Sequence, residues 1–170
     1  MRIIGLAGWS GAGKTTLLKG LIPTLIARGF SVSTIKHAHH RFDIDHPGKD
    51  SWHHREAGAT EVLVSSGVRW ALMHELREEA EPDLPALLAR LSPVDLVLVE
   101  GFKREPHPKI EVYRADNGKP FLHPGDPSII AIASDGEVEG AAIPVIRLDD
   151  FGAIADLVVA RATAADHKPG

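Results

Sequence analysis

Three observations predict an α/β protein built in three layers around a mostly parallel sheet. Residues 2–7 form a short apolar run. Gly8-Trp9-Ser10-Gly11-Ala12-Gly13-Lys14-Thr15 follows it directly and leads into the periodic apolar pattern that opens with Thr16-Leu17-Leu18. Beyond that point, β-branched runs alternate with helical patterns, the signature of βαβ units. The octapeptide fits G-x-x-x-x-G-K-[ST], and strand, loop and helix in that order are the context the motif requires. Together they specify a three-layer P-loop NTPase fold.

The elements follow in order. The first helix is expected to run from the loop to Arg28-Gly29, where glycine stops it, with Pro23 costing a hydrogen bond inside. Ser31 to Lys36 is β-branched and reads as the second strand. His37 to Asp50 is too polar for a core and too long for a tight turn, so it reads as a functional loop. A short helix after Lys49 ends near Ala57-Gly58-Ala59. Thr60–Ser65 and Val68–His74 read as strands joined at Ser66-Gly67, and Glu75–Pro82 as a solvated linker. Leu84–Leu91 reads as a helix. Asp95–Glu100 is an apolar run closed by an acid, as in a central parallel strand. Lys109–Arg114 and Lys119–Leu122 flank Asp116-Asn117-Gly118 and are expected to form an inserted β-hairpin. Ser128–Ala133 and Pro144–Leu148 are the last strands, and Asp149 is expected to cap a final Ala-rich helix. No repeat or domain boundary is visible. Residues 1–165 read as one nucleotide-binding domain and 166–170 as a frayed tail.

Composition narrows the function. The 170 residues suffice for one domain with a proper core. A net charge of −4 argues against general nucleic-acid binding. The absence of cysteine excludes disulfides, thiolate metal sites and cysteine nucleophiles. No apolar run is long enough to span a bilayer, and the chain starts in a strand rather than a signal peptide, so a cytoplasmic protein is expected.

The loop carries the chemistry. Its glycines let consecutive N–H groups converge on one anion, and the helix N-terminus adds partial positive charge. Gly11, Ala12, Gly13, Lys14, Thr15 and Thr16 are the expected nucleotide-binding residues, with Lys14 on the β- and γ-phosphates and the Thr15 hydroxyl on Mg²⁺. Glu100 stands where a second Mg²⁺-holding acid belongs, although aspartate is commoner there. Asp43 and Asp45 follow the second strand, and either would bind Mg²⁺ through water or orient an attacking water. With Thr15, Asp45 and Glu100 form the expected metal set, and these two acids the expected catalytic pair. His37, His39 and His40, or His53 with His54, offer imidazoles for a transition metal, but their spacing specifies no closed site. The guanine-reading N-K-x-D segment is absent, and Asp135, after a strand, is the remaining candidate for the base. These residues do not choose between GTP and ATP.

The same segments resemble a family. The loop, Ile35-Lys36-His37-Ala38-His39-His40, Asp43-Ile44-Asp45, Pro47-Gly48-Lys49-Asp50-Ser51, Arg69-Trp70-Ala71-Leu72-Met73, Val99-Glu100-Gly101-Phe102-Lys103 and Ala133-Ser134-Asp135 look like those of the molybdopterin-guanine dinucleotide biosynthesis adaptor protein B family. The similarity runs from Ile3 to about Phe151. It implies a dimeric GTP-binding adaptor with weak GTPase activity. Such a protein assists a molybdenum cofactor guanylyltransferase that joins GMP to molybdopterin, with the pterin itself a candidate ligand. Gly11, Gly13, Lys14 and Thr15 carry over for phosphate, and Asp45 and Glu100 for Mg²⁺. Trp52-His53-His54-Arg55 departs from the family pattern. Two alternatives stand beside this reading: a small-molecule P-loop kinase, for which the clustered Arg pair of a lid is missing, and a nickel-insertion GTPase, which the histidines favour and the lack of cysteine disfavours.

Overall fold

The computed structural model describes residues 1–38 and 42–165. In chain order the elements are β1 (Arg2–Ala7), α1 (Lys14–Ala27), β2 (Val32–Lys36), α2 (Asp50–Glu56), β3 (Glu61–Ser65), β4 (Trp70–His74) and α3 (Leu84–Leu88). Then come β5 (Leu96–Glu100), β6 (Lys109–Tyr113), β7 (Ile129–Ser134), β8 (Val145–Arg147), α4 (Phe151–Arg161) and β9 (Thr163–Ala164). They divide into two compact units. The larger is Met1–His37 together with the chain from Leu84 on, and the smaller is Ala38–Asp83.

The larger unit is the α/β sheet. Its strands lie in the order β2-β5-β1-β6-β7-β8, every neighbouring pair parallel. The two-residue β9 pairs antiparallel with Arg2 and Ile3, the stretch of β1 that precedes the start of its pairing with β6 at Gly5. The pleat sorts the apolar residues into two cores. Ile4, Leu6, Leu96 and Leu98 point to one face, where Leu17, Leu21 and Leu25 of α1 and Ile154 and Val158 of α4 bury them. Ile3, Val97 and Val99 point to the other, under Leu84 and Leu88 of α3. Helices on both faces give the three layers.

Pro23 sits inside α1 without ending it. Both Pro23 and Lys19 are exposed, so the Lys19 carbonyl that loses its partner is left on the solvent side. The last helix is capped one residue later than expected. The Asp150 carboxylate accepts from the Ala153 N–H at 2.9 Å, while Asp149 is bound by the Arg147 guanidinium instead.

The inserted hairpin is present, but at β3–β4, in the smaller unit, with Leu63 opposite Leu72 and Ser65 opposite Trp70. The expected hairpin at residues 109–122 does not form. β6 pairs with β1 and β7 as a central strand, and Ala115–Asn117 turn as a 3₁₀ helix closed by Gly118 at φ +59°. The Asp-Asn-Gly signal is thereby spent on a cap rather than a hairpin turn. Lys119–Leu122 cannot pair back, because Pro120 has no N–H and buried Glu111 takes the N–H groups of Leu122 and His123.

Candidate nucleotide site

β1 lies mid-sheet and ends at Ala7, so the loop emerges at the carboxyl edge, where open α/β sheets bind their ligands. Gly8 and Gly13 are required there. At Gly8 (φ +150°) a Cβ would lie 2.6 Å from the Val112 carbonyl oxygen; at Gly13 (φ +100°) it would lie 2.8 Å from Arg114 Nε. Gly13 is also the N-cap of α1 and offers no side-chain acceptor. The N–H groups of the first helical turn therefore remain available to an anion, in the positive field of the helix end. Ala12 plays another part: its N–H donates to the Trp9 carbonyl at 3.1 Å and its side chain packs in the core.

Lys14 folds back along the loop. Its Nζ donates to the carbonyls of Gly8 (2.9 Å) and Trp9 (3.0 Å) and lies 4.0 Å from Glu100 Oε1. Burial pushes its pKa down, Glu100 opposes that shift, and Lys103 and Lys36 add to it. Glu100 ends β5 level with Leu6 of β1 and Lys36 of β2, which brings it beside the loop. A cleft of about 360 Å³ opens over these groups. Ser10, Gly11, Gly13 and Lys14 line it with Thr15 and Thr16, and it is closed by Lys36, Glu100 and Arg114. Among the described residues, three cations against one carboxylate make it a site for a polyanion.

Thus Gly11, Gly13, Lys14, Thr15, Thr16 and Glu100 of the sequence-predicted set come together in one cleft. Asp135 follows β7, and its Oδ1 accepts from the Ala115 N–H at 3.3 Å, next to Arg114 in the chain. It borders a second cavity of about 600 Å³ with Gly136, Val138, Glu139 and Arg147. Asp45 belongs to the smaller unit. There its Oδ1 accepts from the His46 N–H and the Ser51 hydroxyl, and its Oδ2 lies 3.4 Å from Arg55 Nε. Arg55 also donates to Asp43 and Glu75, each at 2.8 Å, and its bond to Asp43 holds that carboxyl below the usual range. Of the histidines, His37 packs on Phe102 with ring centroids 5.0 Å apart, and His53 lies edge-on to Trp52. His39 and His40 lie outside the described residues. Among the described residues, no three His, Asp or Glu side chains gather to hold a metal ion.

Three contributors were missed. Arg114 and Lys36 line the cleft, and Asn117 Nδ2 holds the loop by donating to the Ser10 carbonyl at 3.0 Å. Trp9 Nε1 likewise donates to the Pro120 carbonyl at 2.8 Å. The available signal was position: residues at the carboxyl ends of β6, beside β1, and of β2, one strand beyond β5, arrive at the same sheet edge as the loop that ends β1.

A glycine-rich loop at the carboxyl edge of a parallel sheet, an uncapped helix start and a cation-lined cleft define a P-loop protein, of the nucleotide-binding class. The family model for molybdopterin guanine dinucleotide synthesis protein B matches residues 3–135, and the chain belongs to that family. It is 46% identical over 160 residues to the molybdopterin-guanine dinucleotide biosynthesis adapter protein of Escherichia coli K12, covering 92% of this chain and 91% of that one. The Haemophilus influenzae adapter protein of the same description is also 46% identical, over 81% of this chain and 76% of its own. A crystal structure of molybdopterin-guanine biosynthesis protein B superposes with a TM-score of 0.74 at 29% identity, over 93% of this chain and 98% of that one. Its role accordingly lies in molybdenum cofactor biosynthesis. Among the described residues no helix is long and apolar enough to cross a membrane.

Proposed function

We propose that this protein binds GTP with Mg²⁺ in the cleft over the loop, hydrolyses it slowly, and acts in the cytoplasm as an adaptor. Its partner is a molybdenum cofactor guanylyltransferase. The observation that carries nucleotide binding is the convergence of Lys14, Lys36 and Arg114 over an uncapped helix start. The Thr15 hydroxyl and the Glu100 carboxylate line the same cleft and are the oxygen ligands Mg²⁺ prefers. When bound, the ion would neutralise phosphate charge.

Slow turnover follows from what faces the phosphates. Among the described residues Glu100 is the one acid lining the cleft, and the ammonium of Lys14 at 4.0 Å makes it a poor base for activating water. Glu100→Gln keeps the shape and removes the charge, so it should abolish Mg²⁺-dependent binding. If that dependence survives, another acid holds the ion, and Asp45→Asn is the next variant.

A homodimer is proposed through β3–β4. The two-stranded ribbon has α2 against β3, but no third strand pairs with it among the described residues. Leu63 (61%), Trp70 (65%) and Leu72 (43%) are exposed on its one face. Trp70→Lys should turn a dimer into a monomer by sedimentation; an unchanged mass removes the hairpin from the interface.

The adaptor role is tested by mixing the protein with the transferase, molybdopterin and GTP. The yield of guanine dinucleotide cofactor should rise, and Lys14→Ala should lose that gain. Fast phosphate transfer to a small acceptor, with no binding to the transferase, would favour a kinase instead.

A further inference from the structure

Three successive carbonyls of the loop are held by side chains. Lys14 takes those of Gly8 and Trp9, and Asn117 Nδ2 takes that of Ser10 at 3.0 Å. The last of these bonds differs from the others, because its donor comes from another part of the chain. Asn117 ends the 3₁₀ turn after β6, 107 residues from Ser10. A carbonyl only accepts, so the amide nitrogen of Asn117, not its oxygen, must face Ser10.

That bond fixes more than one atom. The Ser10–Gly11 peptide is planar and trans, so its N–H points opposite to its C=O. Drawing the carbonyl to Asn117 therefore aims the Gly11 N–H the other way. Gly11 lines the phosphate cleft, and Asn117 is not one of its lining residues. The Gly11 N–H donates to none of the described residues, whereas that of Ala12 is spent on the Trp9 carbonyl. Gly11 holds φ at +81°, a left-handed backbone that glycine adopts without strain.

The support for this bond is anchored outside the loop. At the start of the turn, the Ala115 N–H donates to Asp135 Oδ1, just after β7, at 3.3 Å. Beyond the turn, Glu111 of β6 takes the N–H groups of Leu122 and His123, and Phe121 stacks on Tyr113 with ring centroids 4.0 Å apart. Trp9 Nε1 reaches the Pro120 carbonyl of the same segment at 2.8 Å. A donor fixed in place beforehand loses less freedom when the ligand binds. We propose that Asn117 is a positioning residue for the triphosphate: by holding the Ser10 carbonyl it turns the Gly11 N–H into the cleft as a phosphate donor. This inference rests on the nucleotide binding proposed above and names a residue that prepares the loop for it.

The test titrates the ¹⁵N-labelled full chain with GTP and Mg²⁺, following backbone amide resonances, with affinities from equilibrium dialysis. In the wild type the Gly11, Gly13 and Lys14 amides should all move as GTP saturates. Asn117 is half-buried and belongs to neither apolar core, so its variants should fold. In Asn117→Ala the Gly13 and Lys14 shifts should persist at saturation while that of Gly11 is lost, with affinity about tenfold lower. Asn117→Asp keeps the shape but accepts instead of donating, which draws the Gly11 N–H away from the cleft, so its loss should be larger still. A Gly11 shift and an affinity unchanged in both variants overturn the proposal and leave nucleotide binding standing. Loss of all three shifts together also overturns it, by making the turn a general support of the loop. A wild type that binds no GTP overturns both this proposal and the reading beneath it.

Discussion

Arg114 reaches the cleft because β6 lies beside β1, so the residue just after β6 meets the loop just after β1. Its Nε is buried with no hydrogen-bond partner among the described residues, against a glycine that alone leaves room for it. A guanidinium lining an anion cleft gains charge-assisted hydrogen bonds when the anion arrives. Arg114→Ala should therefore weaken GTP binding by about ten- to a hundredfold, the loss of about 1.5–3 kcal/mol for one charge-assisted bond. Arg114→Lys should recover part of it, since lysine keeps the charge but not the planar fork. Equal affinity in Arg114→Ala, by isothermal titration, would leave the guanidinium a structural part of the loop. Lys14, Thr15 and Glu100 were legible in the sequence because a local motif and a strand end fix them. Arg114, Lys36 and Asn117 were not, because their place depends on which strands are neighbours, and that order is set by packing across the sheet.

At the scale of elements, the buried strands were legible because unbroken apolar runs such as Leu96–Val99 tolerate no other place. The misread hairpin shows the limit: Asp116-Asn117-Gly118 is a turn signal for a hairpin and for a 3₁₀ cap alike. What decides is the buried Glu111, whose partners lie eleven and twelve residues on. The contact of α1 with α4 gives a prediction in which two effects oppose. Gly20 sits inside α1, where alanine would ordinarily stabilise by about 1 kcal/mol. A Cβ there, however, would lie 2.3 Å from the Phe151 ring that opens α4. Displacing a packed ring costs about 1–3 kcal/mol, so Gly20→Ala should be destabilising on balance. Urea unfolding measures it, and a raised midpoint would show that the helices part without cost.

For the whole molecule, the buried imidazole of His107 ties stability to pH. Burial first, then the Lys109 charge, push the pKa of His107 from 6.5 down to about 4, against the opposing pull of Asp126. Between those values the unfolded chain takes up a proton that the folded chain refuses. Stability should therefore fall as pH drops from about 6.5 to about 4, by about 1.4 kcal/mol per unit at most and about 3 kcal/mol in total. The effect is complete below that window. Asp95 and Asp126, held below 3.8, act at lower pH, and His74, raised above 6.5, acts at higher pH. His107→Gln should flatten the fall between pH 6.5 and 4.5 in urea titrations; an unchanged slope would place the titrating group elsewhere.

The GTPase and adaptor roles both depend on the cleft holding a nucleoside triphosphate. The most direct measurement is calorimetric titration of the purified protein with GTP and Mg²⁺, beside Lys14→Ala. Lys14 donates to two loop carbonyls and belongs to neither apolar core, so the variant should fold as the wild type does. Saturable binding is expected, weakened about ten- to a hundredfold by the loss of the ammonium. Absence of binding to the wild type, or equal affinity in a folded Lys14→Ala, would contradict it.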